Sequence, residues 1–156
     1  MVETDSISGA RTLNPYYITL YTKVSTINAI IKTLWLEALR SNKYKQGQCC
    51  LAKKDDKGQT CYCCLGVLTD LYVNSPEGQE AGAKWGDTDS YDRLVFVCQN
   101  YRECHYLSTP VREWAELANF NPDLLTDMTG NNSSCGWLND RGYSFEKIAE
   151  LIEANL

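Results

Sequence analysis

The stretch CYCCLGVLTDLY at residues 61–72 decides the fold, and it places three of the chain's eight cysteines within four positions. From Cys64 onward its apolar residues recur at helical spacing, which predicts a helix with one apolar face. We expect this helix to end before Ser75-Pro76, because proline disfavours helical backbone in the residue that precedes it. The predicted apolar face consists of Cys64, Leu65, Leu68, Leu71 and Tyr72.

Two elements are predicted upstream of this helix. Apolar residues at steps of three and four predict a first helix, capped by Ser25 or Thr26 and ending near Ser41-Asn42. Residues 49–52 and 59–63 flank turn-forming Asp and Gly residues, so they predict a β-hairpin that leads into the central helix. The predicted core stripe of the first helix consists of Ile27, Ile30, Ile31, Leu34, Ala38 and Leu39.

Downstream, residues 75–92 are predicted to form the longest loop and residues 93–98 a strand that pairs with 102–107. A helix is expected from Thr109-Pro110, a turn over Leu138–Gly142, and a last helix capped by Ser144. The predicted fold class is therefore α+β, with about four helices and one or two small antiparallel β-hairpins. A single compact domain is expected over residues 25–156, preceded by a partly ordered arm over residues 1–24.

Composition indicates an ordinary globular protein, with 44% hydrophobic and 22% charged residues. No apolar run approaches the roughly 20 residues that a membrane helix needs. The N-terminus is acidic and no apolar segment follows it, so we expect no secretory signal and a cytosolic location. In that reducing compartment the cysteines are expected to be free thiols, metal ligands or a nucleophile rather than disulfides.

Charge is distributed unevenly along the chain, whose net charge is -5. Residues 32–57 hold seven basic and three acidic side chains, whereas residues 70–156 hold six basic and fifteen acidic ones. The acidic part should repel a nucleic-acid backbone, so nucleic acid is not an expected partner. An acidic face could instead bind another protein, with solubility as the simpler interpretation.

Four motifs in a fixed order give the chain a recognisable pattern. They are WLEALRS with KYKQG (35–41, 43–47), YCCLGVL with DL (62–68, 70–71), VREWAEL (111–117), and LND with SFEKIA (138–140, 144–149). Over residues 33–156 this pattern resembles a family of small proteins encoded by tailed bacteriophages. The resemblance implies a viral accessory protein in the bacterial cytoplasm and implies no catalytic mechanism. The Cys63-Cys64 pair belongs to the pattern, whereas Cys49, Cys50, Cys61 and His105 are not clearly part of it.

A metal site is not predicted from the cysteine cluster. Structural zinc normally uses pairs spaced by two to four residues, while adjacent strand residues point to opposite faces. At most Cys49, Cys61 and Cys63 could share one side, without an identified fourth ligand. The sequence favours small buried thiols, and no cofactor is expected.

A cysteine-dependent enzyme is one alternative function. A cysteine at a helix N-terminus gains thiolate character from the helix dipole, and Cys63 and Cys64 are predicted at such a position. The chain's single histidine, His105, is then the partner base. The sequence cannot place the two groups within reach of each other, and a lone histidine on a strand is more often structural.

A pocket for a small anionic ligand is the preferred hypothesis. Aromatic rings stack on nucleobases and guanidinium groups bind phosphate, and the N-terminus of the central helix could also hold an anion. The protein would sequester a host signalling nucleotide; the rivals are an inhibitor that binds a host protein and the cysteine-dependent enzyme. A homo-oligomer is left open. The candidate ligand-binding residues are Lys43, Lys45, Trp85, Arg102, Arg112, Trp137 and Arg141, although tryptophans such as Trp137 are often core anchors.

Overall fold

The computed structural model describes residues 27–156 apart from Asp89, Tyr91 and Met128. The predicted arm over residues 1–24 therefore lies outside the described residues, as do the two predicted helix caps, Ser25 and Thr26. Six helices are described: α1 (Ala29–Arg40), α2 (Cys64–Val73), α3 (Pro76–Glu80), α4 (Thr109–Trp114), α5 (Cys135–Asp140) and α6 (Phe145–Asn155).

In the same described residues, eight short strands form three small sheets. They are β1 (Lys45–Gln46), β2 (Ala52–Lys54), β3 (Thr60–Tyr62), β4 (Lys84–Asp87), β5 (Leu94–Cys98), β6 (Tyr101–Glu103), β7 (Asp123–Leu125) and β8 (Asn132–Ser134). The sheet orders are β1-β3-β2, β4-β5-β6 and β7-β8. All pairs are antiparallel except β1 with β3, which run parallel. The α+β class and the single compact domain are confirmed for the described residues.

The central helix α2 is surrounded on nearly all sides rather than on one face. Its first six residues are all buried, and so is Tyr72. The predicted start and end are confirmed, but the predicted single face is wrong because Gly66 and Val67 are buried as well. Gly66 permits this close packing: a Cβ there would lie 1.8 Å from the backbone oxygen of Leu51.

Helix α1 packs between α2 and α6, and the predicted stripe is confirmed in part, since Ile27, Ile31 and Leu39 are buried. Trp35 and Leu36 are buried together with Ile31 and Leu39, whereas Ile30 is 73% exposed and Leu34 is exposed too. The indole N–H of Trp35 donates to the backbone oxygen of Cys64 at 3.0 Å. This bond lets a large aromatic ring enter the core without losing a hydrogen bond. The cap of α1 is Asn28, whose side chain accepts from Ile30 and Ile31.

Other predicted elements are confirmed or corrected. The pair β5 with β6, and α6 with its Ser144 cap, are confirmed. The β-hairpin is confirmed too, but its first strand is Ala52–Lys54 and not the predicted residues 49–52. The predicted loop over 75–92 is wrong in part, because it contains α3 and β4. The predicted turn over Leu138–Gly142 is also wrong: α5 continues to Asp140, and only the segment after it turns. Across the described part of the chain, no helix has both the length and the apolarity needed to cross a membrane.

Candidate functional site

A cavity of about 260 Å³ opens where five segments of the chain meet, and we call it the Cys49–Trp137 cavity. They are the loop between β1 and β2, the junction of β3 with α2, the segment after β6, the segment before β7, and the end of β8 together with α5. Its lining residues are Cys49, Cys50, Cys63, His105, Tyr106, Asn121, Ser134, Gly136, Trp137 and Asp140. It thus combines thiols, an imidazole, a carboxylate and exposed aromatic rings in one concave site.

The Cys49 backbone is held from both sides. Its N–H donates to Oδ1 of Asp140 at 2.8 Å, and its carbonyl oxygen lies 3.1 Å from Nδ1 of His105. A carbonyl can only accept, so the bond requires the proton on Nδ1 and leaves Nε2 of the neutral ring as an acceptor. Cys49 also has a φ of 69°, a strained conformation for a residue with a Cβ. These contacts fix an exposed thiol at the edge of the cavity.

The opposite wall is a hydrogen-bonded support for the start of α5. Asn121 accepts from the N–H of Gly136 at 2.9 Å and donates to Oγ of Ser134 at 3.0 Å. Ser134 caps α5 by accepting from the N–H of Trp137. The Trp137 ring is 48% exposed, so it is not the core anchor that a tryptophan usually forms. Arg141 stacks on it, with its guanidinium carbon 4.9 Å from the ring centroid.

Cys63 and Cys64, the two predicted nucleophiles, have structural roles as a helix cap and a buried core residue. Cys63 caps α2, with its sulfur accepting from the N–H of Gly66 at 3.3 Å. Burial, followed by the neighbouring Cys64, raises the pKa of Cys63 well above its ordinary value. Cys64 is fully buried against Cys135, and burial again raises its pKa. Both thiols are therefore held in the neutral form, contrary to the thiolate that the helix position predicts.

The N-terminus of α2 does not offer the predicted anion site. Oδ1 of Asn139 accepts from the N–H of Cys64 at 3.2 Å, and Cys63 takes the N–H of Gly66. Asn139 is completely buried. Two of the free donors at this helix end are therefore satisfied by the protein's own side chains.

The predicted ligand-binding residues do not all meet. Trp137 lines the Cys49–Trp137 cavity, and Arg141 contacts the Trp137 ring without lining the cavity itself. Lys45 pairs with Asp55 at 2.6 Å, and neither Lys45 nor Lys43 lines this cavity. Trp85 packs against Tyr62 and Phe96, and its indole N–H donates to Asp70 at 2.9 Å, so it is part of the structural interior.

Arg102 and Arg112 lie near a second cavity of about 280 Å³, which we call the Tyr101–Phe120 cavity. Arg102 lines it directly. Arg112 supports it from outside: its side chain donates to the backbone oxygen of Leu117 at 3.0 Å and lies 5.1 Å from the Phe120 ring centroid. The second cavity is lined by Tyr101, Arg102, Glu103, Tyr106, Leu107, Ser108, Thr109 and Phe120.

Neither a metal centre nor the groove beside α1 competes with these cavities as a chemical site in the described residues. Within the described ranges, no three His, Cys, Asp or Glu side chains are grouped so that they could hold a metal ion. A larger groove of about 480 Å³ lies beside α1 and Trp114. Its lining includes neither a cysteine, nor His105, nor an arginine.

Several residues of the site were not found by sequence reasoning. Cys49 was considered only as a metal ligand, and Tyr106, Asn121 and Asp140 were given no role in ligand binding. The one available signal was the LND motif at 138–140, whose Asn139 and Asp140 hold the Gln46–Cys49 loop through hydrogen bonds. This contact spans 91 residues for Asp140 with Cys49, so local patterns could not reveal it.

Comparison with known families gives one match. A family model described as a domain of unknown function (DUF8296) matches residues 27–156. The chain belongs to this family. No curated protein and no solved structure matches the chain. Every segment that lines the Cys49–Trp137 cavity lies inside the matched residues.

Proposed function

We propose that the protein binds and sequesters a small anionic molecule that contains a planar ring, of the nucleotide class, in the Cys49–Trp137 cavity. The observation that carries the proposal is the exposed Trp137 ring beside the guanidinium of Arg141 at the edge of a cavity with polar walls. A base that stacks on tryptophan contributes about 1–3 kcal/mol to binding. A guanidinium adds paired hydrogen bonds to phosphate oxygens.

The polar groups of the cavity suit such a ligand. His105 can accept through Nε2, and Asn121 and Asp140 supply amide and carboxylate groups around the interior. The carboxylate of Asp140 accepts the backbone N–H of Cys49, and Arg141, stacked on Trp137, supplies the positive charge that an anionic ligand requires. Arg141 makes no salt bridge within the described residues, so its charge is available to the ligand.

In the cell, the proposed role is that of a bacteriophage accessory protein in the host cytoplasm. It would lower the free concentration of a signalling nucleotide used in antiviral defence. This role is supported by the resemblance of the four sequence motifs to small phage proteins and by the nucleotide chemistry of the cavity. Sequestration requires that the ligand be recovered chemically unchanged.

The test is titration of the full chain with AMP, GMP and cyclic dinucleotides, followed by calorimetry and tryptophan fluorescence. We expect binding that quenches fluorescence, and Trp137→Ala should weaken it about tenfold or more, as loss of a base-stacking ring predicts. Ile30→Ala, a change to a 73% exposed side chain in α1, is the control and should leave affinity unchanged. Absence of binding by every nucleotide would overturn the proposal.

A cysteine-dependent enzyme is the second candidate, and the contact between His105 and the Cys49 backbone favours it. In this case the nucleophile is Cys49, the exposed thiol, with Nε2 of His105 as the base. Chromatography of the nucleotide after incubation separates the two functions. Unchanged ligand supports sequestration, whereas a product that forms with wild type and not with Cys49→Ser supports the enzyme.

A further inference from the structure

The two cavities are neighbours on the same surface of the protein. Tyr106 lines both of them, and the consecutive residues Phe120 and Asn121 line one each. The Tyr106 ring is 51% exposed, so it forms a shared wall rather than a part of the core. A ligand that fills one cavity can therefore extend past Tyr106 into the other.

The Tyr101–Phe120 cavity has the surface of a ring-binding site. Tyr101 and Phe120 are 41% and 48% exposed, and with Tyr106 they place three aromatic rings around one opening. Aromatic rings exposed together around a concavity are costly to leave in water and are typical of binding sites. Each offers a face on which a planar ligand ring can stack.

Beneath these rings lies a polar group without a protein partner. Ser108 lines the cavity and is 6% exposed, yet its hydroxyl has no hydrogen-bond partner among the described residues. Although Ser108 stands at the cap position of α4, its side chain makes no capping bond. A buried hydroxyl left unpaired destabilises the folded state. The edge of a nucleobase carries the donors and acceptors that would satisfy it.

Charge on this surface fits an anionic link between two rings. Arg102 lines the second cavity and Arg141 stacks beside the first. The carboxylate of Glu103, the residue after Arg102, accepts the backbone N–H groups of Cys104 and His105, both at 2.9 Å. These two N–H groups stabilise the Glu103 carboxylate by hydrogen bonding, as the N–H of Cys49 stabilises the carboxylate of Asp140.

We infer that the Tyr101–Phe120 cavity is a second base-binding subsite, and that the ligand class is a dinucleotide with one base in each cavity. This inference rests on the proposed function, because it assumes that the first base binds at Trp137. It assigns Ser108 and Tyr101 to recognition of the second base. It also assigns Arg102 and Arg141 to the phosphates that join the two nucleosides.

The experiment is isothermal calorimetry on the full chain with AMP, GMP, cyclic di-AMP, cyclic di-GMP and cyclic GMP-AMP. At least one cyclic dinucleotide should bind tenfold or more tightly than either mononucleotide. Tyr101→Ala and Ser108→Ala should each remove most of this gain and leave the affinity for the mononucleotide unchanged. Trp137→Ala should weaken both ligand types, and Ile30→Ala neither. Ser108→Ala deletes no capping bond, so the variant should fold.

Three failures can be told apart. If mononucleotides bind in a Trp137-dependent way while every cyclic dinucleotide binds no more tightly, or with the same affinity in Tyr101→Ala and Ser108→Ala, the second subsite is refuted and the proposed function stands. If no nucleotide binds, both are refuted. If Trp137→Ala changes no affinity while Tyr101→Ala removes binding, the proposed site at Trp137 is wrong.

Discussion

The side-chain oxygen of Asn139 accepts the backbone N–H of Cys64 at 3.2 Å, across 75 residues of sequence. Asn139 also accepts from Nε2 of Gln46 at 3.0 Å and donates to the backbone oxygen of Gly47 at 2.7 Å. One completely buried amide thus joins the start of α2, the loop after β1 and helix α5. No apolar side chain of similar size can replace these three bonds.

We predict that Asn139→Ala lowers the free energy of unfolding by about 3 kcal/mol, because it leaves buried donors and acceptors unpaired. Urea denaturation followed by circular dichroism measures this change. Asn132→Ala, which removes an exposed amide in β8, should change it by less than about 0.5 kcal/mol. Equal effects of the two substitutions would refute the structural role of Asn139.

A second prediction concerns the close contact between α2 and the chain before β2. Gly66→Ala places a Cβ 1.8 Å from the Leu51 oxygen, so the backbone of one segment must move. We expect a loss of about 3 kcal/mol of stability, at the upper end for overpacking of a core. Gly86→Ala is the matched control, since the nearest atoms to its added Cβ lie at 3.5 Å. The prediction fails if both variants unfold at the same urea concentration.

A third prediction follows from two tyrosines near Asp70. The Tyr44 hydroxyl donates to Asp70 at 2.8 Å, and burial together with this carboxylate raises the pKa of Tyr44. Burial, followed by the charge of Asp70, raises the pKa of Tyr62 to about 12. The folded protein therefore keeps these protons at a pH where unfolded tyrosine, with a pKa of about 10, has lost them. This stabilisation is complete below about pH 10 and is lost as the pH rises to about 12.

Urea midpoints measured between pH 9 and 11.5 test this dependence. The midpoint of the wild type should fall with rising pH, and Tyr62→Phe should make the fall less steep because it removes one titrating group. Tyr143→Phe alters a surface phenol instead, and the slope should match that of the wild type. A slope unchanged by Tyr62→Phe would contradict the assignment.

A fourth prediction separates the eight thiols by reactivity. Cys49 is exposed and Cys104 is half-buried, whereas the other six are buried. Brief treatment of the native protein with iodoacetamide should label Cys49 first, and peptide mass spectrometry locates the label. Because Cys49 lines the cavity, the carbamidomethyl group should also reduce nucleotide affinity, and Cys49→Ser should escape this loss. Labelling of Cys63 before Cys49 would contradict the buried cap described above.

Local sequence patterns were sufficient to predict the helices and turns that are stabilised mostly by neighbouring residues. The spacing of Phe145, Ile148 and Ile152 predicts α6 correctly, and Asp and Gly residues locate the β2–β3 turn. The buried face of α1 was predicted only in part. Ile31 and Leu39 are buried as expected, but Ile30 is exposed. The aliphatic residues alone were counted, whereas the Trp35 indole is buried and bonds to Cys64. Local rules cannot anticipate a partner that lies 29 residues away.

The candidate site was less accessible to sequence reasoning. The sequence of α5 predicts a turn rather than a helix, because Gly136 and Asn139 are poor helix formers. Its helical state depends on tertiary contacts, with Leu138 and Asn139 fully buried. Trp137 and Arg141 were grouped as a ring and a charge, and they are in contact, but only the fold shows that Trp137 lines the same cavity as Cys49 and His105.

The hydrogen bonds that hold the Gln46–Cys49 loop also mean that folding can be completed only late in synthesis. This loop binds Asn139, Asp140, Tyr143 and Phe145, from 91 to 99 residues further along the chain. When a ribosome has made α1, the hairpin and α2, the residues that hold the Gln46–Cys49 loop have therefore not yet been synthesised. Until the last segment emerges, apolar surface of α2 that is buried in the complete fold stays exposed to solvent. We therefore expect a chain that terminates before residue 139 to depend on chaperones.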